Sequence, residues 1–305
     1  MAKYTIGGSR GADTITIGES GFTKNGVFTA LTSTQIDNGI IVNAGRGNDT
    51  VTGGRGPDEI NGNAGADTLK GGSGFDQLFG GDGNDTLIDS LTGAFFDGGR
   101  GTDTLSFSNA TSAVAVYSSS VETGVTVQMG TGSVTITHGG EQFLNRVANI
   151  ENLTGSDYND VLWGGNTNNV IRGGGGHDYV YGSGTGADRD QLFGGAGNDL
   201  LLASSGVDEL TGGTGADRFV FDATTPNQGE DVIFDYSSAQ GDVLIYSFAT
   251  NGPSWAPYNY NGTASLIGTY TSQWGTGSVV LVGVTDPASV NVEVTNTQYI
   301  YDIYG

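Results

Sequence analysis

The stretch that decides the fold runs from residue 44 to residue 106 and reads AGRGNDTVT GGRGPDEIN GNAGADTLK GGSGFDQLF GGDGNDTLI DSLTGAFFD GGRGTDTLS. It divides into seven consecutive blocks of nine residues with nothing inserted between them. Glycine fills most of positions one, two and four, and position eight is always apolar. Position six is Asp in every block except the one that carries Ala94. A fixed period of this kind indicates one structural unit stacked on its neighbours.

Each block predicts a glycine-rich turn followed by a very short strand. The segment Gly-Gly-x-Gly-x-Asp suits neither a helix nor a regular strand, because glycine is used where the backbone needs positive φ or close packing. The remaining three residues place one apolar side chain between two others, which suits a short strand facing a core. Two blocks then make one coil, so equivalent positions stack eighteen residues apart along the chain.

This stacking predicts columns of aspartates. Asp67, for example, is expected beside Asp49 in one neighbouring coil and beside Asp85 in the other. Carboxylates at that spacing repel each other, and a hard divalent cation between successive turns removes the repulsion. Carboxylate and carbonyl oxygens in a flexible turn favour calcium. The metal ligands predicted in this first array are Asp49, Asp58, Asp67, Asp76, Asp85 and Asp103.

The blocks GGSGFDQLF and GGDGNDTLI resemble the nonapeptide repeat of the RTX proteins, which binds calcium. The resemblance implies an all-β fold, a right-handed parallel β-roll (a β-solenoid) with several Ca²⁺ ions held in its turns. It also implies bacterial export by a type I secretion system, with an uncleaved signal at the carboxyl end. The alternative is a flexible glycine-rich linker, but a linker has no reason to place an apolar residue two positions after each Asp.

Composition agrees with a repeat fold cross-linked by metal rather than by disulfides. The 305 residues include 55 glycines, five prolines and no cysteine, and the formal net charge is −22. Such a charge argues against nucleic acid as a partner and for bound cations. No apolar run approaches the length of a membrane span, and the amino terminus lacks the apolar core of a signal peptide. We therefore expect a secreted, extracellular protein of the bacterial surface on the strength of the family resemblance.

A second array covers about residues 155–221. Its predicted metal ligands are Asp160, Asp178, Asp190, Asp199, Asp208 and Asp217. Asn169 stands at position six of this array and, like Ala94 in the first, supplies no carboxylate, so we expect weak or absent sites there. Three extra residues precede Asp190, and we expect them to interrupt the column at that point.

The repeats divide the chain into five predicted segments. The non-repeat segment between the arrays alternates apolar and polar residues, which predicts further β coils in the same stack. Terminal repeats of a solenoid are atypical, so the two ends are interpreted as caps. The segments are an amino-terminal cap (1–43), a first β-roll block (44–106), a β insert (107–152), a second block (153–221) and a capping and secretion-signal region (222–305).

The sequence gives little support for catalysis. Gly7-Gly8-Ser9-Arg10-Gly11 fits the letters of a nucleophile elbow, but that motif needs a strand before it, a helix after it and downstream partners. His138 and His177 have no metal-ligand spacing, and His177 occupies the variable fifth position of a repeat. Paired acids for glycoside cleavage are more simply explained as calcium ligands. We expect no enzyme.

Three functions remain open at this stage. The first is a calcium-dependent structural protein that self-assembles into a layer or filament at the bacterial surface or matrix. The second is an adhesin that binds a surface polysaccharide through Trp255, Tyr258 and Tyr260, which we expect in a loop with two prolines. The alternative is that these rings pack over the open end of the roll, which we favour for Trp255. The third is a secreted hydrolase with a site that the sequence does not reveal.

Overall fold

The computed structural model describes residues 3–88, 94–108, 123–128, 133–138, 141–183, 188–203, 205–222, 229–249, 251–272 and 275–295. The chain forms two compact units, Met1–Ser156 (unit 1) and Asp157–Gly305 (unit 2). Within the predicted insert, the segment AVAVY (113–117) lies outside the described residues.

Unit 1 is built from short strands and one five-residue helix. In chain order they are β1 (Tyr4–Ser9), β2 (Thr14–Gly18), β3 (Gly21–Lys24), β4 (Val27–Ala30), α1 (Ser33–Asp37), β5 (Ile40–Arg46), β6 (Thr50–Thr52), β7 (Glu59–Ala64), β8 (Thr68–Lys70), β9 (Asp76–Asp82), β10 (Thr86–Ile88), β11 (Ala94–Arg100), β12 (Thr104–Ser106), β13 (Thr123–Gln128), β14 (Ser133–His138), β15 (Glu141–Ala148) and β16 (Asn152–Thr154).

Alternate strands of unit 1 form two parallel sheets. One sheet has the order β1-β5-β7-β9-β11-β15, and the other contains β2-β6-β8-β10-β12-β16. The register advances by one coil of eighteen residues, so that Thr68 pairs with Thr50 on one side and with Thr86 on the other. Within the predicted insert, β15 pairs parallel with β11, whereas β14 is antiparallel to β15.

Unit 2 repeats this architecture. Its elements are β17 (Asn159–Trp163), β18 (Val170–Gly175), β19 (Tyr179–Tyr181), β20 (Gln191–Ala196), β21 (Leu200–Ala203), β22 (Glu209–Thr214), β23 (Arg218–Asp222), β24 (Glu230–Ile233), β25 (Val243–Ser247), β26 (Asn251–Tyr260), β27 (Thr263–Ser272), β28 (Gly275–Val282), a 3₁₀ helix (Pro287–Ser289) and β29 (Val292–Thr295). One parallel sheet is β17-β19-β21-β23-β25-β29, and the other is β18-β20-β22-β24-β28, to which β27 and β26 add antiparallel.

The position-eight residues form the core of each unit, as the repeat predicts. Each of them is at most 1% exposed, and the two sets are Val51, Ile60, Leu69, Leu78, Leu87, Phe96 and Leu105 in unit 1, and Leu162, Ile171, Val180, Leu192, Leu201, Leu210 and Phe219 in unit 2. A single inward apolar residue per half-coil is enough because the next coil covers it in register. This arrangement is the all-β parallel β-roll.

Both ends of the chain depart from the repeat. In unit 1, β2, β3 and β4 form an antiparallel meander, followed by α1, which begins at a Thr32–Gln35 capping box and buries Ile36. In unit 2, Phe221 stacks on Tyr246 with ring centres 5.3 Å apart, and Tyr270 lies 4.7 Å from Tyr246. All three of these aromatic side chains are buried.

Candidate metal centre

The position-six aspartates are joined from coil to coil by hydrogen bonds. The backbone N–H of Asp49 donates to Oδ1 of Asp67 at 2.7 Å, and the N–H of Asp67 donates to Oδ1 of Asp85 at 2.8 Å. We call such a chain of bonds an aspartate ladder. Each unit has two ladders, one along each sheet, because two blocks make one coil.

The ladders contain every aspartate predicted as a metal ligand. Each of the twelve is at most 3% exposed. Ladder 1 comprises Asp13, Asp49, Asp67, Asp85, Asp103 and Glu151; ladder 2 comprises Asp58 and Asp76; ladder 3 comprises Asp160, Asp178, Asp199, Asp217 and Asp242; and ladder 4 comprises Asn169, Asp190, Asp208 and Asp231.

The second carboxylate oxygen is left open along much of this arrangement. While Oδ1 accepts the amide of the neighbouring coil, Oδ2 is buried and has no hydrogen-bond partner in a set of seven described aspartates, namely Asp49, Asp67, Asp85, Asp103, Asp178, Asp199 and Asp231. Buried polar groups are normally paired, and an unpaired one costs free energy. An oxygen-binding cation at Oδ2 would satisfy these groups.

Glycine at position one leaves room beside the open oxygen. A Cβ added to Gly80 would collide with Asp85 Oδ2 and with the carbonyl oxygen of Gly98 in the next coil. A Cβ added to Gly62 would collide with Asp67 Oδ2 and with the carbonyl oxygen of Gly80. A carboxylate oxygen and a backbone carbonyl oxygen therefore converge on one small space in each of these coils.

The electrostatics of the ladders oppose charged carboxylates when no cation is bound. Burial raises the pKa of Asp85 and of Asp217 to about 6, and that of Asp178 to about 8. These values combine burial, the largest cause, with the lowering effect of the amide bond to each carboxylate and the raising effect of the neighbouring aspartates. A buried carboxylate is relieved of this cost either when it binds a proton, which makes it neutral, or when it binds a cation, which compensates its charge.

The donor set fits calcium better than a transition metal. In the described parts of the chain, no group of three or more His, Cys, Asp or Glu side chains converges on one point. A cation here would combine one or two carboxylates with backbone carbonyl oxygens, all of them hard oxygen ligands. Calcium accepts six to eight such oxygens in a flexible geometry.

The start of ladder 1 differs from its interior. Among the described residues, no ladder amide donates to Asp13, and the side-chain amide of Asn25 donates to its Oδ1 instead, at 2.5 Å. The N–H of Ser9 donates to Asp13 Oδ2, also at 2.5 Å, and Lys24 Nζ lies 3.9 Å from Oδ1. Burial acts to raise the pKa of Asp13, but these partners outweigh it and leave the pKa lowered. Protein donors therefore satisfy this carboxylate completely.

The irregular positions behave differently from one another. Ala94 removes the carboxylate that would follow Asp76 in ladder 2. Asn169 keeps its place in ladder 4, since its N–H donates to Asp190 Oδ1 at 2.8 Å and its own Oδ1 accepts the N–H of Gly165 at 2.7 Å.

The insertion before Asp190 does not interrupt the ladders. The hydrogen bond from the Asp178 amide to Asp199 spans 21 residues and is still 2.8 Å long. The coil absorbs three more residues because the strands on either side keep their pairing, as β18 with β20 and β19 with β21.

Several ladder members were not predicted as site residues. Asp13, Glu151, Asp231 and Asp242 extend the ladders beyond the two arrays. Asp231 and Asp242 follow their predecessors by 23 and 25 residues, so the strict nine-residue period misses them. The signal that would have found all four is an acid followed two positions later by a buried apolar residue.

Position five supports a second series of bonds that sequence reasoning also missed. The Oδ1 of Asn48 accepts the N–H of Ala66 at 2.9 Å, and that of Asn159 accepts the N–H of His177 at 2.6 Å. His177 lies in the turn between β18 and β19, as its repeat position predicts, and its Nδ1 accepts the N–H of Asn198 at 2.8 Å. Its imidazole thus takes the place of an asparagine amide.

The aromatic residues of 255–260 lie on strand β26, not in the loop that we expected. Pro253 and Pro257 fit there because β26 is an edge strand, where a missing N–H is tolerated. Side chains of a strand alternate between faces, so Trp255 lies on the opposite face from Tyr258 and Tyr260. The three rings therefore do not form one platform.

The nucleophile-elbow letters fall in a β segment. Ser9 ends β1, and the chain continues through a bend into β2 rather than into a helix. The described chain thus lacks the strand–turn–helix context that this motif needs. The side chain of His138 lies outside the described residues.

Comparison with known proteins identifies the repeats. The family model of the RTX calcium-binding nonapeptide repeat matches in four copies, at residues 43–78, 61–88, 154–185 and 184–219. No curated protein sequence matches the chain.

Two solved structures are similar to parts of the chain. The AlgE6R3 subunit of the Azotobacter vinelandii mannuronan C5-epimerase is 27% identical, with a TM-score of 0.27, over 49% of this chain and 83% of that one. The extracellular lipase LipA of Serratia marcescens is 16% identical, with a TM-score of 0.24, over 84% of this chain and 40% of that one. The repeat matches and the parallel coils together show that the chain carries the calcium-binding nonapeptide repeats of the RTX family, folded as a β-roll.

Proposed function

We propose that the protein is a secreted structural protein whose folding depends on calcium and which assembles with copies of itself at the bacterial surface or matrix. The observation that carries this proposal is the row of buried Oδ2 atoms without partners, five of which lie beside a backbone carbonyl oxygen. Several Ca²⁺ ions would bind along the ladders, with the twelve position-six aspartates of the two arrays as their carboxylate ligands.

Calcium would control folding because its ligands come from different coils. The oxygens converge only when coils are stacked, so the free energy of binding becomes free energy of folding. Extracellular calcium modules bind at about 10⁻⁴–10⁻³ M. Such sites stay empty in a cytosol low in calcium and fill outside the cell, which suits a chain exported unfolded. None of the described helices is long enough to cross a membrane.

The test of calcium-coupled folding is circular dichroism of the full chain. We expect a weak β signal after calcium has been stripped, and a cooperative rise as calcium is added to millimolar concentration. Magnesium at the same concentration is the control, since it demands near-ideal octahedral geometry and retains its waters. A chain that is equally folded with and without calcium would contradict the proposal.

Self-association is supported by an exposed strand edge in unit 1. In the described parts of the chain, β4 pairs only with β3. Two large side chains of β4 are exposed, Val27 by 68% and Phe28 by 58%. An unpaired edge with apolar side chains invites pairing with another chain. The edge strand β26 of unit 2 carries two prolines, which protect an edge from such pairing.

Sedimentation velocity across a calcium titration tests the assembly. We expect larger species at millimolar calcium and a shift to monomer on changing Val27 and Phe28 together to Ser. Phe75→Ser is the matched control, because Phe75 is 55% exposed but lies in a turn rather than on an edge strand. A wild-type chain that stays monomeric at high concentration and millimolar calcium would exclude self-assembly.

An adhesin is the second candidate, and a cluster on unit 2 favours it. Tyr258 is 36% exposed and its hydroxyl donates to Glu230 at 3.1 Å. Tyr260 packs edge-on against Phe234, whose side chain is 39% exposed, with ring centres 5.8 Å apart. Aromatic faces beside a carboxylate suit a polysaccharide. Glycan binding that is lost in Tyr258→Ala and kept in Trp255→Ala would support this function.

A further inference from the structure

One buried carboxylate of unit 2 lies outside the ladders. Asp188 is 9% exposed, and both of its carboxylate oxygens are buried without a hydrogen-bond partner. No ion pair of the described residues involves it; the adjacent Arg189 points its guanidinium at Glu209 instead, at 3.9 Å. Apart from its own backbone N–H, Asp188 is therefore a buried acid without a donor or an ion-pair partner among the described residues.

The repeat register shows that Asp188 replaces a turn glycine. It stands two residues before Asp190, where the coils that follow have Gly206 before Asp208 and Gly229 before Asp231. The turn still stacks on the next coil, since the Asp188 carbonyl accepts the N–H of Val207 at 3.1 Å.

The Asp188 carboxylate lies against the next coil, beside the glycine that occupies the same repeat position there. A Cβ added to Gly206 would come within 2.9 Å of Asp188 Oδ1. Gly206 in turn accepts the N–H of Gly229 through its carbonyl at 2.6 Å. The side chain is thus directed along the turns, on the side where backbone carbonyls repeat from coil to coil, and not into the apolar core.

We propose that Asp188 is a ligand of an additional calcium ion, held at position four of the turn rather than at position six. This inference rests on the calcium-dependent function proposed above. The chemistry follows from the same reasoning: a buried, unpaired carboxylate is strongly unfavourable, and a hard divalent cation with oxygen ligands removes that cost. The two coils that follow cannot form the same site, because Gly206 and Gly229 offer no side chain at that position.

A bound proton would also neutralise the Asp188 carboxylate. A substitution distinguishes a bound proton from a bound cation. Burial raises the pKa of Asp188, so an uncharged carboxyl is the competing state. Asp188→Asn keeps the shape of the side chain and removes the charge. If a cation is bound, this change should lower stability with calcium and raise it without calcium. If the carboxyl is simply protonated, the change should have the same small effect in both conditions.

The deciding measurement is the number of calcium ions bound by the full chain, determined by native mass spectrometry. We expect Asp188→Asn to bind one ion fewer than the wild type, with thermal melts showing the opposite shifts described above. Asp157→Asn is the matched control, since Asp157 is an exposed acid of the same unit, and it should bind the wild-type number.

Asp188→Gly introduces the glycine found in the two coils that follow and provides a second variant that is compatible with the turn. It should likewise bind one ion fewer. An unchanged ion count in both variants would overturn the inference while leaving the ladders intact. A wild-type chain that binds no calcium would instead overturn the proposed function itself.

Discussion

The first coil of unit 1 and the interior coils of the same unit use the same residue in opposite ways. Asp13 and Asp85 both stand at position six, and both are buried. Asp13 has protein donors on both oxygens, whereas Asp85 Oδ2 has none. The comparison teaches that an aspartate at position six does not by itself make a cation site. An aspartate whose second oxygen has no protein donor, such as Asp85, is the better candidate ligand, whereas Asp58, like Asp13, accepts an N–H there, from Gly54 at 2.7 Å.

The largest effect is expected where a turn glycine meets the coil before it. Gly83 has φ +140° and an added Cβ would collide with the carbonyl oxygen of Gly65, so Gly83→Ala should destabilise by at least about 1–3 kcal/mol. Gly11 holds the same repeat position in the first coil, and an added Cβ meets nothing within 4 Å. Gly11→Ala should therefore be nearly neutral in urea unfolding with calcium. Similar losses in the two variants would contradict the stacking.

A smaller but specific effect is expected from the ladder itself. Asp67→Ala removes an open oxygen and leaves the buried N–H of Asp49 without its acceptor, at a cost of about 1–3 kcal/mol. The calcium midpoint of folding should rise. Asp13→Ala should leave that midpoint almost unchanged, because its oxygens are used by protein donors. Calcium titrations followed by circular dichroism measure both midpoints, and equal shifts would remove the distinction between the two coils.

The first coil can also be tested through Asn25, the residue that donates to Asp13. Asn25→Ala deletes the donor to Asp13 Oδ1 and should cost about 1.5–3 kcal/mol, the range for hydrogen bonds to charged groups. Because no cation is involved, the loss should be the same at low and at saturating calcium. Urea unfolding at two calcium concentrations provides the measurement. A loss that disappears at high calcium would mean that a cation can take over the role of the asparagine.

The interior coils should also respond to pH when calcium is absent. The pKa values of Asp85 and Asp217, about 6, and of Asp178, about 8, are above the ordinary value of 3.8. A raised pKa in the folded chain stabilises it fully below 3.8, and this contribution is lost as the pH rises through 6 and then 8. Calcium-stripped protein should melt at a lower temperature at pH 9 than at pH 5. With saturating calcium the trend should reverse, since bound ligands must be deprotonated.

The smallest effect concerns position five. His177→Asn should be close to neutral, because an asparagine oxygen can accept the N–H of Asn198 as asparagines do in other coils. His177→Ala should cost about 0.5–1.5 kcal/mol, the net contribution of one hydrogen bond. Thermal melts of both variants with calcium test this. An alanine variant as stable as the wild type would show that the outer series of bonds contributes nothing.

The nine-residue period was sufficient to predict the stacked coils, their apolar core and the columns of position-six aspartates. Period and polarity are local properties, and each coil repeats the same contacts, so a pattern within nine residues describes the packing of the whole array. The terminal acids were harder. Asp231 and Asp242 join ladders after steps of 23 and 25 residues, because a coil can absorb extra residues in its turn while its strands stay in register.

The amino-acid sequence by itself determined the parallel coils, the inward apolar residues and the preference for an oxygen-binding cation. Only the tertiary structure decided which carboxylates keep an oxygen open. That property depends on which donors the fold brings to each carboxylate: the amide of the adjacent coil, the Asn25 side chain for Asp13, or no donor from another described residue for Asp188. The two prolines of β26 were likewise visible in the sequence, but their place on an edge strand follows from sheet pairing. The stacking of coils fixes which hydrogen-bond partners meet. A single nine-residue block does not contain that information, because the partners lie in other blocks.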